Sequence, residues 1–297
     1  MAPDSMLCMS QSSRRNFLVR TASLATVART AFARDPLTAN NLGFQIYTVR
    51  NVVEQNPLTI LKAIEEIGYR EIECTAGNVD KIWPALKQTN LKPVSIHTDK
   101  SMFTADESQF NVASLEQAKQ RGFQYVVVPF LQIAENGADS VKRTADRMNR
   151  QGEQAKSNGL TLCYHNHAHD LALVNGVPAL QMLLNETDPK LVFLEMDIFW
   201  MSVSGHDPVH ALGVHKGRVP LLHLKDKAAG VPVQFNENVP KTAFKEVGSG
   251  SINVPAVLAA ADAAGVRHYF VEQDQTPGDP IASLRKSYDY LKGQFKN

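Results

Sequence analysis

The chain has 297 residues, 43% hydrophobic and 21% charged, with a formal net charge of +1. That suits one globular domain of about 250 residues and excludes a protein that binds nucleic acid mainly through a basic surface. No run of about 20 uncharged apolar residues is present, so no membrane-spanning helix is expected.

The first residues read as an address. Ser13-Arg14-Arg15-Asn16-Phe17-Leu18 resembles the twin-arginine export motif, a modest apolar run follows over Thr21–Ala28, and Ala31-Phe32-Ala33 has the small-x-small form of a cleavage site. Residues 1–33 are therefore expected to be a signal peptide handed to the twin-arginine export machinery, with residues 34–297 the mature, periplasmic domain. Setting aside the four arginines and one aspartate of residues 1–33 leaves a net charge of −2. Cys74 and Cys163 fall inside apolar runs and are expected to be buried free thiols.

Beyond residue 40 the dominant signal is alternation. Short runs rich in branched aliphatics recur at Leu42–Tyr47, Arg70–Cys74, Lys92–His97, Tyr125–Pro129, Leu160–Asn166, Leu191–Asp197, Val219–Lys225 and His268–Glu272. Most are almost continuously apolar, as strands of a helix-covered parallel sheet are. Helical spacing appears between them, at Pro57–Ile67, Val79–Thr89, Ser114–Arg121, Ser140–Asn158, Pro178–Leu184, Pro208–Leu212, Pro255–Ala264 and Ile281–Phe295. Gly68, Gly122, Gly159 and Gly265 stand where helices should stop before the next strand. Strict β/α alternation implies parallel strands. Eight units favour a single-domain α/β protein closed as a (β/α)8 barrel over an open doubly wound sheet. No G-x-G-x-x-G follows the first strand, which disfavours dinucleotide binding.

In such a barrel the chemistry sits at the C-terminal strand ends. Here strand two carries Glu73 and strand three ends at His97. Strand five ends Tyr164-His165-Asn166-His167 and strand six ends Glu195-Met196-Asp197. Strand seven ends His223-Leu224-Lys225-Asp226 and strand eight ends Glu272-Gln273-Asp274. Side chains two apart share a face, so Glu195 with Asp197, and His223 with Lys225, give two inward layers. Imidazoles and carboxylates without cysteine suit Mn2+, Mg2+, Co2+ or Zn2+. A buried Glu195 paired with Lys225 is the purely structural alternative, and Asp226 and Asp274 also fit roles as caps or loop ligands.

At these residues the sequence resembles the xylose-isomerase-like barrel superfamily, the sugar phosphate isomerases/epimerases. The resemblance spans roughly residues 42–294 and is carried by Tyr164–His167, Leu194–Trp200, Gly205–Pro208, Gly217–Asp226, Phe244–Ile252 and Val271–Asp274. It implies a metal held by Asp197, His223 and Glu272, with His165, or else His167, where epimerases of the superfamily have a glutamate. It also implies proton abstraction beside a carbonyl through an enediolate. Glu195 or Glu272 is the expected base, and His167 or Lys225 the acid or electrostatic partner, Lys225 with a lowered pKa. Gln45, Tyr47, Glu73 and His97 are expected to bind sugar hydroxyls, and Trp200 to stack on a sugar face. The leading expectation is a sugar isomerase or epimerase. The alternative is a lyase or dehydratase of keto-sugars or 3-keto-glycosides, favoured by export and by the histidines of strand five. A non-catalytic sugar-binding protein is a third reading, and an apurinic endonuclease is disfavoured by the near-neutral charge. Gly248-Ser249-Gly250 reads as a turn rather than as a phosphate cradle. A homo-oligomer is compatible with all of these.

Overall fold

A computed structural model describes residues 36–135 and 137–295. The expected signal segment and its cleavage site at Ala33 lie outside the described residues. Eight parallel strands close into a barrel: β1 (Leu42–Gln45), β2 (Glu71–Thr75), β3 (Lys92–His97), β4 (Tyr125–Val128), β5 (Thr161–His165), β6 (Val192–Asp197), β7 (Leu221–Leu224) and β8 (His268–Val271). Each strand pairs with its chain neighbours, and β1 closes the ring against β8 and β2. The helices α1 (Pro57–Ile67), α2 (Ala76–Leu86), α3 (Val112–Gln120), α4 (Gly137–Ser157), α5 (Ala179–Glu186), α6 (Pro208–Val214), α7 (Val254–Ala264) and α8 (Pro280–Lys292) follow the strands in turn.

The local chemistry explains the boundaries. Pro57, Pro208 and Pro280 sit in the first turns of α1, α6 and α8, where no N–H is needed. Asp207 and Asp279 cap α6 and α8 by accepting from the backbone. Helix α2 starts three residues before its expected first residue because Thr75 and Asn78 form a reciprocal capping box across its first turn. All four expected stop glycines have positive φ. At Gly68 the need is double: φ is 130°, and an added Cβ would run into the Tyr288 hydroxyl.

Inside the ring the side chains stack in layers. Val94, Tyr125, Val127, Cys163, Leu221 and Phe270 form an apolar plug in the lower barrel. The second residue beyond the plug on several strands is polar: His165 after Cys163, His223 after Leu221, and Glu272 after Phe270. A much larger apolar cluster fills the space between ring and helices. Cys74 and Cys163 are buried free thiols, as expected, and burial raises the Cys163 thiol well above its ordinary value.

Candidate metal and substrate site

Four strand ends supply one group of potential ligands. His165, Asp197, His223 and Glu272, from β5, β6, β7 and the residue after β8, are all buried, and their donor atoms lie within 4.8 Å of one another. Donors around a first-row cation at 2.0–2.2 Å sit at most roughly 4.4 Å apart, so the set closes on an ion with small movements. Asp197 Oδ2 is buried with no hydrogen-bond partner, its nearest cation being Lys225 Nζ at 3.0 Å in ion-pair contact. An acceptor left open amid two imidazoles and a second carboxylate fits a divalent cation.

Below this group lies a second buried polar layer. Glu73 Oε2 accepts from Gln45 at 2.7 Å and meets His223 Nε2 at 2.6 Å, while Ser95 donates to Glu73 Oε1. Glu195 Oε2 is 2.7 Å from His97 Nε2 and 3.0 Å from His165 Nδ1. Although burial would raise Glu73, His97 and His223 hold it well below the usual carboxylate range. Burial opposes charge on His97 too, yet Glu73 and Glu195 bring it up to about 10. His97, His165, Glu195 and His223 also lie close enough to hold an ion. Short hydrogen bonds already join Glu195 Oε2 to His97 and His165, so the layer serves as an ionic floor for the site, with Glu195 Oε1 a further buried acceptor without a partner.

Lys225 completes the upper layer. Its ammonium is 2.7 Å from Glu272, 3.0 Å from Asp197 and 3.0 Å from Asp274. Burial works against this charge, but the three carboxylates together hold its pKa well above the ordinary lysine value, the reverse of the lowering expected from sequence. Its partners are these acids and not Glu195.

Above the two layers a cavity of about 600 Å³ opens at the C-terminal mouth, lined among others by Tyr47, His97, His165, His167, Trp200, Glu272 and Asp274. His167 lies just past the end of β5, outside the four-ligand group. Burial, helped by Lys225, lowers its imidazole to about 3, and its Nδ1 has no hydrogen-bond partner. Burial pushes the Asp274 carboxyl up to about 6, with Lys225 pulling the other way. Despite burial, Lys225 and His223 keep Glu272 well below the carboxylate range.

A model of the xylose isomerase-like TIM barrel family matches residues 61–294. The chain belongs to that family. Among curated relatives, it is 32% identical over 157 residues to an inosose dehydratase of Geobacillus thermodenitrificans, covering 50% of this chain and 52% of that one. The chain thus spans about half the length of the curated relatives it matches. Among solved structures, a sugar phosphate isomerase/epimerase of Parabacteroides distasonis aligns with a TM-score of 0.68 at 22% identity, covering 84% and 96% of the two chains. The 3-keto-D-glucoside 4-epimerase of E. coli aligns at 0.64 and 17%, covering 85% and 99%. These two likenesses establish the shared fold.

For this member of the family, the residues expected from sequence divide by depth. Tyr47, His97 and Trp200 line the cavity. Gln45 and Glu73 do not: both are wholly buried beneath it and satisfied within the ionic floor. Glu195 is wholly buried in the same floor and does not line the cavity. Trp200 offers no open ring face. Only 4% of the residue is exposed, packed among His167, Phe199 and Phe244, and its indole Nε1 is a buried donor without a partner.

Gly248-Ser249-Gly250 is a turn, as expected, with an occupant of its own. The Asp226 carboxylate accepts from the amides of Gly248 at 3.0 Å, Gly250 at 2.9 Å, Ile252 at 3.1 Å and Lys227 at 2.8 Å. This nest of amides therefore holds an internal anion and is closed to a substrate phosphate.

Three residues of the site escape strand-end reasoning. Phe130 follows β4, and Glu237 and Lys241 come from the long segment after β7. Glu237 is tied down by His169, whose Nδ1 lies 2.7 Å from Glu237 Oε1 while its Nε2 lies 2.7 Å from the Leu131 carbonyl. The Pro129-Phe130 pair at a strand end was the available sequence signal for the first. Nothing local marks the other two.

Proposed function

We propose that the protein is a carbon–oxygen lyase acting on a keto-sugar or 3-keto-glycoside. A proton leaves the carbon beside the carbonyl, the C–O bond at the next carbon breaks, and the departing oxygen takes a proton to leave as water or an alcohol. The observation that carries this reading is the one-sided placement of proton carriers in the cavity. Asp274 and His167 stand on the β5–β8 half with the ligand group. Across from them, His97 is engaged with Glu195 and Glu73, and Asp99 is an exposed carboxylate whose Oδ1 is held by Ser101, unlike the half-buried Asp274. An epimerase working through two bases needs a proton carrier on each face of its stereocentre. An elimination needs one group that moves a proton from carbon to the departing oxygen on the same side.

In this reading a divalent cation (Mn2+, Mg2+, Co2+ or Zn2+) on His165, Asp197, His223 and Glu272 supplies positive charge where the carbonyl oxygen gains negative charge. Asp274, brought to about 6 and steadied by Lys225, takes the carbon-bound proton. Neutral His167 and the Trp200 indole N–H bind substrate oxygens on the same wall. The filled Asp226 nest supports an unphosphorylated substrate. The Arg14-Arg15 pair and the Ala31–Ala33 pattern support delivery of the enzyme to the periplasm, where such sugars are met.

The test is incubation of Mn2+-loaded protein with inososes, 3-keto-glucosides and ketoses in D2O. Elimination yields an unsaturated ketone absorbing in the ultraviolet, together with water or the free alcohol. Deuterated, stereochemically scrambled substrate without that product would mean the isomerase reading is the right one. Exchange and product both absent across the panel would leave a non-catalytic sugar-binding role.

A further inference from the structure

The cavity has two unlike halves. The ligand group comes entirely from β5–β8. The rim contributed after β1, β2 and β4 consists of Tyr47, Ala76, Gly77, Pro129 and Phe130. Among the described residues, Tyr47 and Phe130 are the exposed large hydrophobics that line this cavity, at 42% and 43% exposure. Both rings are braced from behind. The Arg50 guanidinium lies 3.9 Å over the Tyr47 ring and is itself bonded to the Tyr47 and Asp274 carbonyls at 2.8 and 2.7 Å. Phe130 packs against the His167 and His169 rings at centroid distances of 5.1 and 4.6 Å. The cavity wall after β2 is open: a Cβ added to Gly77 would meet only Asp99 Oδ2, at 3.6 Å.

Single exposed aromatics are ordinary, but two held rigid at one pocket mouth are a preformed platform for a ring. Volume points the same way. About 600 Å³ is the size of a site for a drug-sized ligand, roughly 300–1,000 Å³, and a lone six-membered keto-sugar leaves much of it empty. A keto-sugar seated against the ligand group leaves the exposed faces of Tyr47 and Phe130 to a second group.

We infer that the β1–β4 half is a subsite for a second ring, so that the substrate is a keto-glycoside whose aglycone stacks on Tyr47 and Phe130. This rests on the lyase reading for which bond breaks: the C–O bond between the two rings cleaves, its electron pair goes to the aglycone oxygen, and the proton taken from carbon is delivered there. The shared chemistry is an apolar ring face, whether aryl or pyranosyl.

The subsite is tested by binding, independently of turnover. Titration calorimetry of Mn2+-loaded protein with unreactive phenyl glucoside, cellobiose and methyl glucoside compares an aryl ring, a sugar ring and no ring. At least one ring-bearing probe is expected to bind tenfold or more tighter than methyl glucoside, and which one tells aryl from pyranosyl. In the Tyr47→Ala/Phe130→Ala double variant, whose changes are at exposed positions, that ratio is expected to fall to within twofold. Phe130→Trp on the Tyr47→Ala background is expected to restore part of it. Equal affinity for all three probes, no binding of any, or a preference that survives the double variant overturns the inference. Turnover of inososes without any ring preference sinks the subsite and leaves the lyase reading standing. Ring preference without elimination on any keto substrate does the opposite.

Discussion

Lys225 Nζ lies 2.7 Å from Glu272 Oε2, closer than to either of the other two acids around it. The barrel thus carries an internal cation against the same carboxylates, Asp197 and Glu272, that stand ready for a metal. Replacing it by apolar Met should leave a cluster of buried carboxylates unbalanced, with a loss of about 3–5 kcal/mol in metal-free protein. Added Mn2+ should recover most of that loss, because the ion takes over the compensation. Urea unfolding of Lys225→Met with and without Mn2+ checks this. A loss that is the same in both conditions would show that the lysine and the metal serve separate groups.

The two histidines of strand five should separate cleanly. His165→Ala is expected to remove bound Mn2+, measured by mass spectrometry of dialysed protein. His167→Ala should retain the metal at full stoichiometry and lose elimination activity, because its ring faces the cavity from outside the ligand group. Retained metal in His165→Ala would mean the ion uses other donors.

Asp274 is in the wall of the cavity and not in the ligand group. Asp274→Asn should therefore keep metal binding and lower kcat by about 10²–10⁴, the usual worth of a proton-transfer group. Steady-state kinetics beside a metal assay decide it. A change in KM alone would place Asp274 in binding and not in proton transfer.

The Asp226 carboxylate accepts from three backbone amides of the 248–252 turn and from the amide of Lys227. Asp226→Ala removes four part-buried hydrogen bonds, each worth about 0.5–1.5 kcal/mol net. The variant should lose at least about 2 kcal/mol of stability, and amides of residues 248–252 should exchange faster with deuterium. The emptied nest should also acquire affinity for inorganic phosphate that the parent protein lacks.

His169 anchors the segment bearing Glu237 and Lys241. Burial opposes its charge, but hydrogen bonds to Asp170 and Glu237 bring its pKa up to about 10. Glu237 is lowered in turn, mainly by His169 against the effect of burial. A raised histidine contributes stability that is whole below its unfolded value, about 6.5, and is lost as pH rises through the folded value. Deuterium exchange in residues 231–243, corrected for intrinsic rate, should thus show a tight segment at pH 6 and a looser one near pH 10. His169→Gln should flatten that difference.

The legibility of the site followed strand position. The strand-end positions of Asp197, His223 and Glu272 are legible because a barrel puts its chemistry there; their grouping as ligands is what the family resemblance implies, and their donor atoms lie together in the structure. Depth was not readable. Glu195 and Asp197 share a face, yet Glu195 gathers with His97, His165 and His223, while Asp197 gathers with His165, His223 and Glu272. Period-two logic likewise could not separate His165 from His167. The strand ends at His165, and the chain then turns into a short 3-10 helix over Ala168–Leu171, which carries His167 to the cavity wall. Lys225 shows the electrostatic version of the same gap. Burial alone lowers a lysine, and only the count of acids placed around it reverses the sign.

The sequence by itself determined the eight β/α units, the glycines that stop the helices, and the residue types that crown β5 to β8. These are local properties, written in periodicity and in backbone freedom. The tertiary structure decided which of those residues meet. It set Gln45, Glu73 and Glu195 under the cavity and closed the glycine-rich turn around Asp226. It turned Trp200 inward and gave the open aromatic faces to Tyr47 and Phe130. The reason is that the stagger between strands and the path of the loops fix height and direction in the barrel, and neither is encoded by the spacing of residues along one strand.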